Sequence, residues 1–249
     1  MSTANIIIHP DFSYLAPFFK DIQRYFTQSS DSIHKARNEL KIIKYQNAEL
    51  VVKAFKIPNQ INSLVYAAIR DSKAKKSYDN ALRLEELGVT TPQPVGYVEF
   101  KTATTFSQSY FVTLKSPYSF TIREPLLDPL WPDHDVIFEQ FGTFTASLHQ
   151  KGILHEDYSP GNILISKENG NYRFDLVDIN RMKFQPVSTE AGYKNLSKLW
   201  ANSKDLSIIG KSYAAALGLN EAECIRELIR FDAKHKAFKT FKKRIRGRK

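Results

Sequence analysis

The chain has 249 residues, of which 42% are hydrophobic and 12% aromatic, enough to form one large domain or two lobes with buried cores. Its single cysteine, Cys224, excludes an internal disulfide and a multi-cysteine zinc site, and favours a reducing compartment. The formal net charge of +10 indicates an anionic partner, such as nucleic acid, an acidic lipid surface or a phosphorylated substrate.

The N-terminal sequence MSTANIIIHPDF does not resemble a signal peptide, because its apolar run is short and no basic residue precedes it. No stretch of the chain approaches the roughly 20 apolar residues that a membrane-spanning helix needs. We therefore expect a soluble or peripheral protein in the cytoplasm.

The N-terminal part of the sequence predicts a small sheet with one helix. Two β-rich runs in residues 39–55 flank a turn at 46–48 and predict a hairpin with Lys53 in its second strand. Residues 61–87 then show the apolar spacing of a helix, and Gly88 follows where a helix commonly ends. The runs TPQPVGYVEF and SYFVTLKSP predict two further strands.

The C-terminal part predicts mainly helices. Residues 133–151 show the clearest helical pattern, with Asp133 placed to cap the helix and Gly152 placed to end it. Further helical patterns cover residues 196–219 and 221–238.

A polar loop follows the 133–151 helix and contains the pattern His-x-Asp-x-x-x-x-Asn. In HEDYSPGNILI these residues are His155, Asp157 and Asn162. Two short predicted strands follow, and the second, at residues 174–178, ends at Asp178. With the strand residue Lys53 upstream, this ordered set resembles the signature of the protein-kinase-like fold.

Phosphoryl transfer explains why these residue types occur together. The clustered negative charge of ATP needs a cation, which Lys53 could supply, and Mg²⁺ needs oxygen ligands, which Asn162 and Asp178 could supply. Asp157 would orient the acceptor hydroxyl and accept its proton. His155 would support the loop by hydrogen bonds.

Longer runs extend the resemblance to a narrower family. The runs VVKAFKIPN, GVTTPQPVGY, LHQKGILHEDYSPGNILI and LVDINRMKF make the chain similar to the lipopolysaccharide kinases, the Kdo and heptose kinases of Gram-negative bacteria. This resemblance implies an α+β, two-lobed protein-kinase-like fold. Residues 1–116 would form the nucleotide-binding lobe, a small β-sheet with one helix, and residues 117–249 a larger, mainly helical catalytic lobe with a basic tail.

The same resemblance implies an activity and a location. The enzyme would use ATP and Mg²⁺ to phosphorylate a hydroxyl of Kdo, 3-deoxy-manno-octulosonic acid, in the inner core of a lipid A precursor. It would act at the cytoplasmic face of the inner membrane, as a peripheral protein of a Gram-negative bacterium.

Two features depart from protein kinases. No GxGxxG precedes Lys53, so the turn at 46–48 would have to cover the nucleotide. The acid that pairs with Lys53 is also open: we favour Asp79, in the middle of the predicted helix, over Glu85 and Glu86 near its end. Several other polar residues stay open as alternatives or as structural ion-pair and turn residues, namely Lys56, Arg123, Glu124, Asn180 and Arg181.

The C-terminal run KHKAFKTFKKRIRGRK, residues 234–249, contains nine Lys or Arg and no acid. We expect it to bind the anionic inner membrane and the lipid-linked acceptor, Kdo-lipid A, and we expect no nucleic-acid partner. A solvated basic helix end is the plainer interpretation. Alternative functions are an atypical protein kinase of ribosome or tRNA-modification assemblies, and a non-catalytic nucleotide- or RNA-binding module, for which Asp157 would have no use.

Overall fold

A computed structural model describes residues 3–35, 38–55, 71–101, 106–245 and 247. The chain forms two compact units, Met1–Pro117 and Tyr118–Lys249. The first is built around one antiparallel sheet, and the second consists mainly of helices with short strands between them.

Among its described residues, the first unit contains six strands: β1 (Thr3–Ile8), β2 (Ser32–Lys35), β3 (Asn38–Tyr45), β4 (Ala48–Phe55), β5 (Pro94–Lys101) and β6 (Phe106–Leu114). They form one antiparallel sheet in the order β1-β5-β6-β4-β3-β2. The predicted β3–β4 hairpin is confirmed, and Gln46 adopts a φ of 51° in its turn.

One face of this sheet is covered by N-terminal helices that the sequence pattern did not predict. A 3₁₀ turn at Pro10–Leu15 leads into α1 (Ala16–Lys20) and α2 (Ile22–Gln28). Their buried side chains share a core with the strands, which includes Phe12, Leu15, Phe18, Phe19, Ile22, Phe26, Leu50, Val52, Val98 and Val112. The expected sheet with a single helix is incomplete because each of these segments is too short to show a helical period.

The opposite face packs against α3 (Lys73–Glu86), where Tyr78 lies 5.5 Å from Tyr97 between ring centroids. Ser72 caps this helix, since its hydroxyl accepts a hydrogen bond from the Lys75 N–H at 3.0 Å. The helix confirms the C-terminal part of the 61–87 prediction. Residues 61–70 of that prediction, and the alternative lysine Lys56, lie outside the described residues.

The second unit contains most of the helices that the structure describes. Its helices are α4 (Arg123–Leu127), α5 (His134–Gln150), α6 (Thr189–Leu196), α7 (Ser203–Leu217) and α8 (Glu221–Ile245). Its strands are β7 (Phe120–Thr121), β8 (Ile153–His155), β9 (Ile163–Glu168), β10 (Asn171–Leu176) and β11 (Met182–Phe184). They form two antiparallel sheets, β10-β9-β7 and β11-β8, so the predicted β9–β10 hairpin is confirmed.

Helix α5 confirms the prediction for residues 133–151, but the proposed cap is wrong. Asp133 has a left-handed backbone and makes no side-chain capping bond. Its carboxylate instead accepts hydrogen bonds from Lys167 Nζ at 2.6 Å and from the Tyr172 hydroxyl at 2.7 Å. Asp133 therefore ties the start of α5 to the β9–β10 hairpin, because two side-chain donors reach it there.

The helical pattern predicted over residues 196–219 is interrupted. Helix α6 ends at Leu196, a 3₁₀ turn follows at Ser197–Leu199, and Trp200 has a left-handed φ of 60°. Asn202 then caps α7 by accepting the Asp205 N–H at 2.9 Å. A continuous helix is excluded because the chain changes direction at Trp200.

Helix α8 extends beyond the predicted residues 221–238 and packs on α7. Cys224 is buried in this contact, with its thiol 3.6 Å from the Gly210 carbonyl oxygen, and burial raises the pKa of the thiol. No helix in the described part of the chain is long and apolar enough to cross a membrane.

Candidate active site

His155 holds the loop that carries the predicted motif. Its Nε2 donates a hydrogen bond to the Val177 carbonyl oxygen at 3.0 Å, and its Nδ1 accepts one from the Asp157 N–H at 3.0 Å. The side chain is 1% exposed, and burial lowers its pKa. The ring is therefore neutral with its proton on Nε2, and it joins the loop to the end of β10.

Asp157 presents its carboxylate at the surface of the second unit. The side chain is 46% exposed, and Arg181 Nη1 lies 3.8 Å from its Oδ2. Two hydrogen bonds fix its backbone. The Asp157 carbonyl oxygen accepts one from the Ser159 N–H at 2.7 Å and one from Asn162 Nδ2 at 2.8 Å. A half-exposed carboxylate on a fixed loop is suited to receive a proton from a bound hydroxyl.

Asn162 and Asp178 are brought together by a backbone contact. The Val177 N–H donates to the Asn162 carbonyl oxygen at 3.0 Å, which places the next residue, Asp178, beside Asn162. Asp178 has a left-handed backbone (φ 55°, ψ 42°), and its carboxylate accepts a hydrogen bond from Asn180 Nδ2. Asn180 thus orients Asp178 in the turn.

These residues suit a magnesium ion by the chemistry of their donors. The Asn162 side-chain nitrogen is committed to the Asp157 carbonyl oxygen, which leaves Oδ1 as its ligating atom. An amide oxygen and a carboxylate are the hard ligands that Mg²⁺ takes alongside water and substrate phosphates. In the described ranges no group of three or more His, Cys, Asp or Glu side chains is arranged to hold a metal.

A buried polar network below the loop was not predicted from the sequence. The Tyr213 hydroxyl lies 2.8 Å from His149 Nδ1, His149 Nε2 lies 3.2 Å from Asn195 Oδ1, and Asn195 Nδ2 donates to the His155 carbonyl oxygen at 2.8 Å. Burial lowers the pKa of His149 to about 4, so its ring is neutral. A Cβ at Gly192 would lie 2.2 Å from the Tyr213 hydroxyl, so only glycine fits beside the network.

The network had only a weak signature in the sequence. His149 lies next to the apolar stripe of the α5 pattern, and Asn195 is a polar residue between Lys194 and Leu196. Both patterns are common in helices without any role in catalysis. Their contribution to the loop therefore emerged only from the folded chain.

Two further contacts fix the loop. Tyr158 is fully buried, stacks on Phe141 with 5.8 Å between ring centroids, and shares a 2.9 Å hydrogen bond with Thr145 Oγ1. The Arg123 guanidinium lies so close to Gly161 that a Cβ there would be 2.6 Å from Nη2. Arg123 therefore packs against the motif itself.

Glu124, the residue after Arg123, accepts hydrogen bonds from the Thr121 N–H at 2.8 Å and from the Thr121 hydroxyl at 2.6 Å.

Lys53 lies in the first unit, on the sheet face that packs against α3. It pairs in register with Phe111, which pairs with Tyr97, the residue that Tyr78 contacts. Its side chain is buried, and Nζ lies 5.4 Å from the Phe55 ring centroid.

Asp79 does not face the sheet as the sequence pattern suggested. Its side chain is 49% exposed, and it binds Lys75 Nζ of the same helix at 2.9 Å. Glu85 and Glu86, the other two acids considered, are also exposed. Asp79 is exposed because α3 turns Ser77, Tyr78 and Ala81 inward. The pairing of Asp79 with Lys53 stays a prediction.

A buried acid on the same sheet face, Glu99, was not considered from the sequence. It is 2% exposed and contacts Lys101 Nζ at 3.0 Å and Asn5 Nδ2 at 3.3 Å. Burial alone would raise its pKa, but hydrogen bonds from Ser72, Lys101 and Asn5 lower the pKa of Glu99 overall. Glu99 is therefore charged, and hydrogen bonds from residues of the first unit hold its carboxylate.

Comparisons with known proteins identify the family and the fold of the chain. A family model described as the lipopolysaccharide kinase (Kdo/WaaP) family matches residues 60–218. A solved structure described as WaaP in complex with acyl carrier protein is 15% identical, with a TM-score of 0.66, and the match covers 94% of this chain and 98% of that chain. It confirms the predicted α+β, two-lobed protein-kinase-like fold.

A second solved structure is less similar to the chain. The PknI kinase domain of Mycobacterium tuberculosis is 14% identical, with a TM-score of 0.42, and the match covers 78% of this chain and 74% of that chain. No curated protein matches the sequence.

Proposed function

Because this chain belongs to the lipopolysaccharide kinase (Kdo/WaaP) family, we propose that it transfers the γ-phosphoryl group of ATP to a hydroxyl of Kdo on a lipid A precursor. Family membership implies a phosphotransferase that acts on a sugar hydroxyl of the lipopolysaccharide core. Kdo as the acceptor is the finer proposal. One observation supports the catalytic assignment. Hydrogen bonds hold together the short loop and the neighbouring turn that carry His155, Asp157, Asn162 and Asp178.

Asp157 is the proposed catalytic base. The acceptor hydroxyl oxygen forms a bond to the γ-phosphorus while the bond from that phosphorus to the ADP oxygen breaks, and the hydroxyl proton passes to the Asp157 carboxylate. Arg181 Nη1 lies 3.8 Å from the Asp157 Oδ2 atom and places a positive charge beside the carboxylate. His155 positions the Asp157 backbone through its Nδ1.

The remaining roles concern the nucleotide. Asn162 and Asp178 would hold Mg²⁺, which when bound neutralises charge on the phosphates. We assign the unit Met1–Pro117 to nucleotide binding and Tyr118–Lys249 to catalysis. Lys53 would bind ATP phosphates, with Asp79 as its proposed partner and the turn at 46–48 as the cover of the nucleotide.

We also propose two macromolecular contacts. The basic C-terminal part of α8 would bind the anionic cytoplasmic face of the inner membrane, since Phe238, Phe241 and Ile245 are exposed among lysines. A related structure is described as a complex with acyl carrier protein, and we propose a protein partner of that kind. Co-purification of acyl carrier protein with the full chain, at equal stoichiometry, would test this second contact.

An acceptor assay tests the function. The full chain, incubated with Mg²⁺ and labelled ATP, should label Kdo-lipid A but not lipid A without Kdo. Asp157→Asn should lower kcat by about 10²–10⁴, the usual contribution of a general base. Asp128→Asn, at an exposed aspartate of the same unit, is the matched control.

Two outcomes would favour the alternatives. Label that enters only a protein mixture would favour the atypical protein kinase. A cellular phenotype that is rescued equally by wild type and Asp157→Ala would favour the non-catalytic module.

A further inference from the structure

Several cations border the proposed catalytic base within the second unit. Lys198 Nζ donates to the Glu156 carbonyl oxygen at 2.7 Å, and Lys183 Nζ contacts the Glu156 carboxylate at 2.5 Å. Arg181 lies beside Asp157, as described above. Three positively charged side chains, two from residues 181–183 and one from Lys198, therefore converge on residues 156 and 157.

Helix α8 passes close to this group, since the His235 ring lies 6.1 Å from that of Trp200, and Lys239 follows His235 by one helical turn. Burial lowers the pKa of Lys198, the charges of Glu156 and Asp157 partly offset that effect, and the charges of Lys183 and Lys239 add to the lowering. Burial, Lys239 and Lys198 likewise lower the pKa of His235, one turn before Lys239 on α8. Like charges held this close repel one another, and an incoming anion would stabilise them.

An exposed aromatic residue, Trp200, follows Lys198 by two positions in the chain. Trp200 is 51% exposed, and its ring stands nearly perpendicular to that of His235, with 6.1 Å between centroids. The left-handed conformation of Trp200 is costly for a bulky side chain. Its neighbours hold it there, because Lys236 Nζ donates to the Ala201 carbonyl oxygen at 2.7 Å and Lys198 is fixed to the motif loop.

An aromatic ring and an ammonium group next to a catalytic base match the chemistry of an acidic sugar. The C–H face of a pyranose ring packs on an indole, and a sugar carboxylate pairs with lysine. We propose that Lys198 and Trp200 form the acceptor subsite, in which Trp200 stacks on the sugar ring while Lys198, assisted by Lys239, binds its carboxylate. This assignment rests on the function proposed above, and it orients the acceptor hydroxyl toward Asp157.

The subsite is distinct from the proposed membrane contact. Along α8, His235 and Lys236 lie on the side that contacts the turn at Trp200, and Lys239 follows His235 by one turn. Phe238 and Phe241 are exposed on the other side of the helix. One helix can therefore contribute to both the acceptor and the lipid surface.

Steady-state kinetics of two variants tests the subsite. Lys198→Gln and Trp200→Ala should each raise KM for Kdo-lipid A by about tenfold or more, the loss expected for one charge-assisted bond or one stacking contact. KM for ATP should stay within about twofold of wild type. Trp200→Phe should recover most of the lost affinity, and Lys211→Gln, at an exposed lysine of α7, is the matched control.

A carboxyl-reduced Kdo acceptor identifies the anion. Wild type should bind it with a KM raised by about the same factor as Lys198→Gln, and that variant should lose nothing further. Equal KM values for the two acceptors in wild type, or an unchanged acceptor KM in both variants, would overturn the subsite while leaving the proposed function intact.

Failure of the function itself gives a different pattern. If wild type labels no Kdo acceptor, titration calorimetry of free Kdo into the full chain decides the subsite separately. Binding that is lost in Lys198→Gln and Trp200→Ala would support it, and no binding to wild type would overturn it.

Discussion

At the scale of single residues, two buried neutral histidines support the motif loop. Burial lowers the pKa of both His149 and His155, that of His149 to about 4. In the unfolded chain a histidine titrates near its ordinary value of about 6.5. Between these values the unfolded chain binds more protons, so the free energy of unfolding falls as pH drops from about 6.5 toward 4.

This linkage predicts an acid-sensitive fold. His149 alone should lower the free energy of unfolding by about 2 kcal/mol between pH 7 and pH 5, and the full contribution should be retained above pH 7. The variant His149→Gln should be less stable than wild type at pH 7. Between pH 7 and pH 5, however, its free energy of unfolding should fall by about 2 kcal/mol less than that of wild type. Urea unfolding at both pH values measures this, with the partly exposed His9→Gln as control. Parallel pH profiles for wild type and His149→Gln would contradict the prediction.

Tyr158 gives a second prediction at this scale. Removal of the hydroxyl in Tyr158→Phe should cost about 1 kcal/mol of stability, through the lost bond to Thr145. Removal of the ring in Tyr158→Ala should cost about 3–5 kcal/mol, because the side chain is fully buried against Phe141. Denaturant midpoints measure both values. Equal losses of stability in the two variants would show that burial of the ring does not contribute the larger part.

At the scale of secondary-structure elements, the sequence predicted those with a strong local signal. The hairpins β3–β4 and β9–β10 each combine β-rich runs with a turn of polar residues, and α5 has a clear apolar stripe. Strand β1 was not predicted, because the short run TANIII alone does not indicate a strand. It forms one by pairing with β5. The break at Trp200 was also not predicted, since the residue pattern on both sides of it is helical.

Helix α8 leads to a prediction about membranes. The double variant Phe238→Ser/Phe241→Ser should bind anionic phospholipid vesicles at least about tenfold more weakly, because each buried phenylalanine contributes roughly 1.5–3 kcal/mol. Leu130→Ser removes a side chain that is 91% exposed elsewhere in the same unit and should leave binding unchanged. Co-sedimentation with vesicles that contain phosphatidylglycerol measures the effect. Equal binding of all three proteins would place the lipid contact outside α8.

At the scale of the whole molecule, local and distant residues differed in how well they could be predicted. The motif residues 155–162 and Asp178 lie close in sequence, so their spacing alone suggested one site. The residues of the proposed acceptor subsite come from the turn at Lys198 and Trp200 and from α8, and only folding brings them beside the motif loop. The roles assigned to Lys53 and Asp79, and the identity of the acceptor, stay predictions.

The buried thiol of Cys224 offers a kinetic measure of motion in the second unit. It is the single cysteine of the chain, and burial between α7 and α8 protects it in the folded state. Its rate of alkylation should therefore report how often α8 separates from α7. Since α8 also contributes Lys239 and the exposed phenylalanines, acceptor or vesicle binding should slow alkylation, and mass spectrometry of the unmodified wild-type chain can follow it.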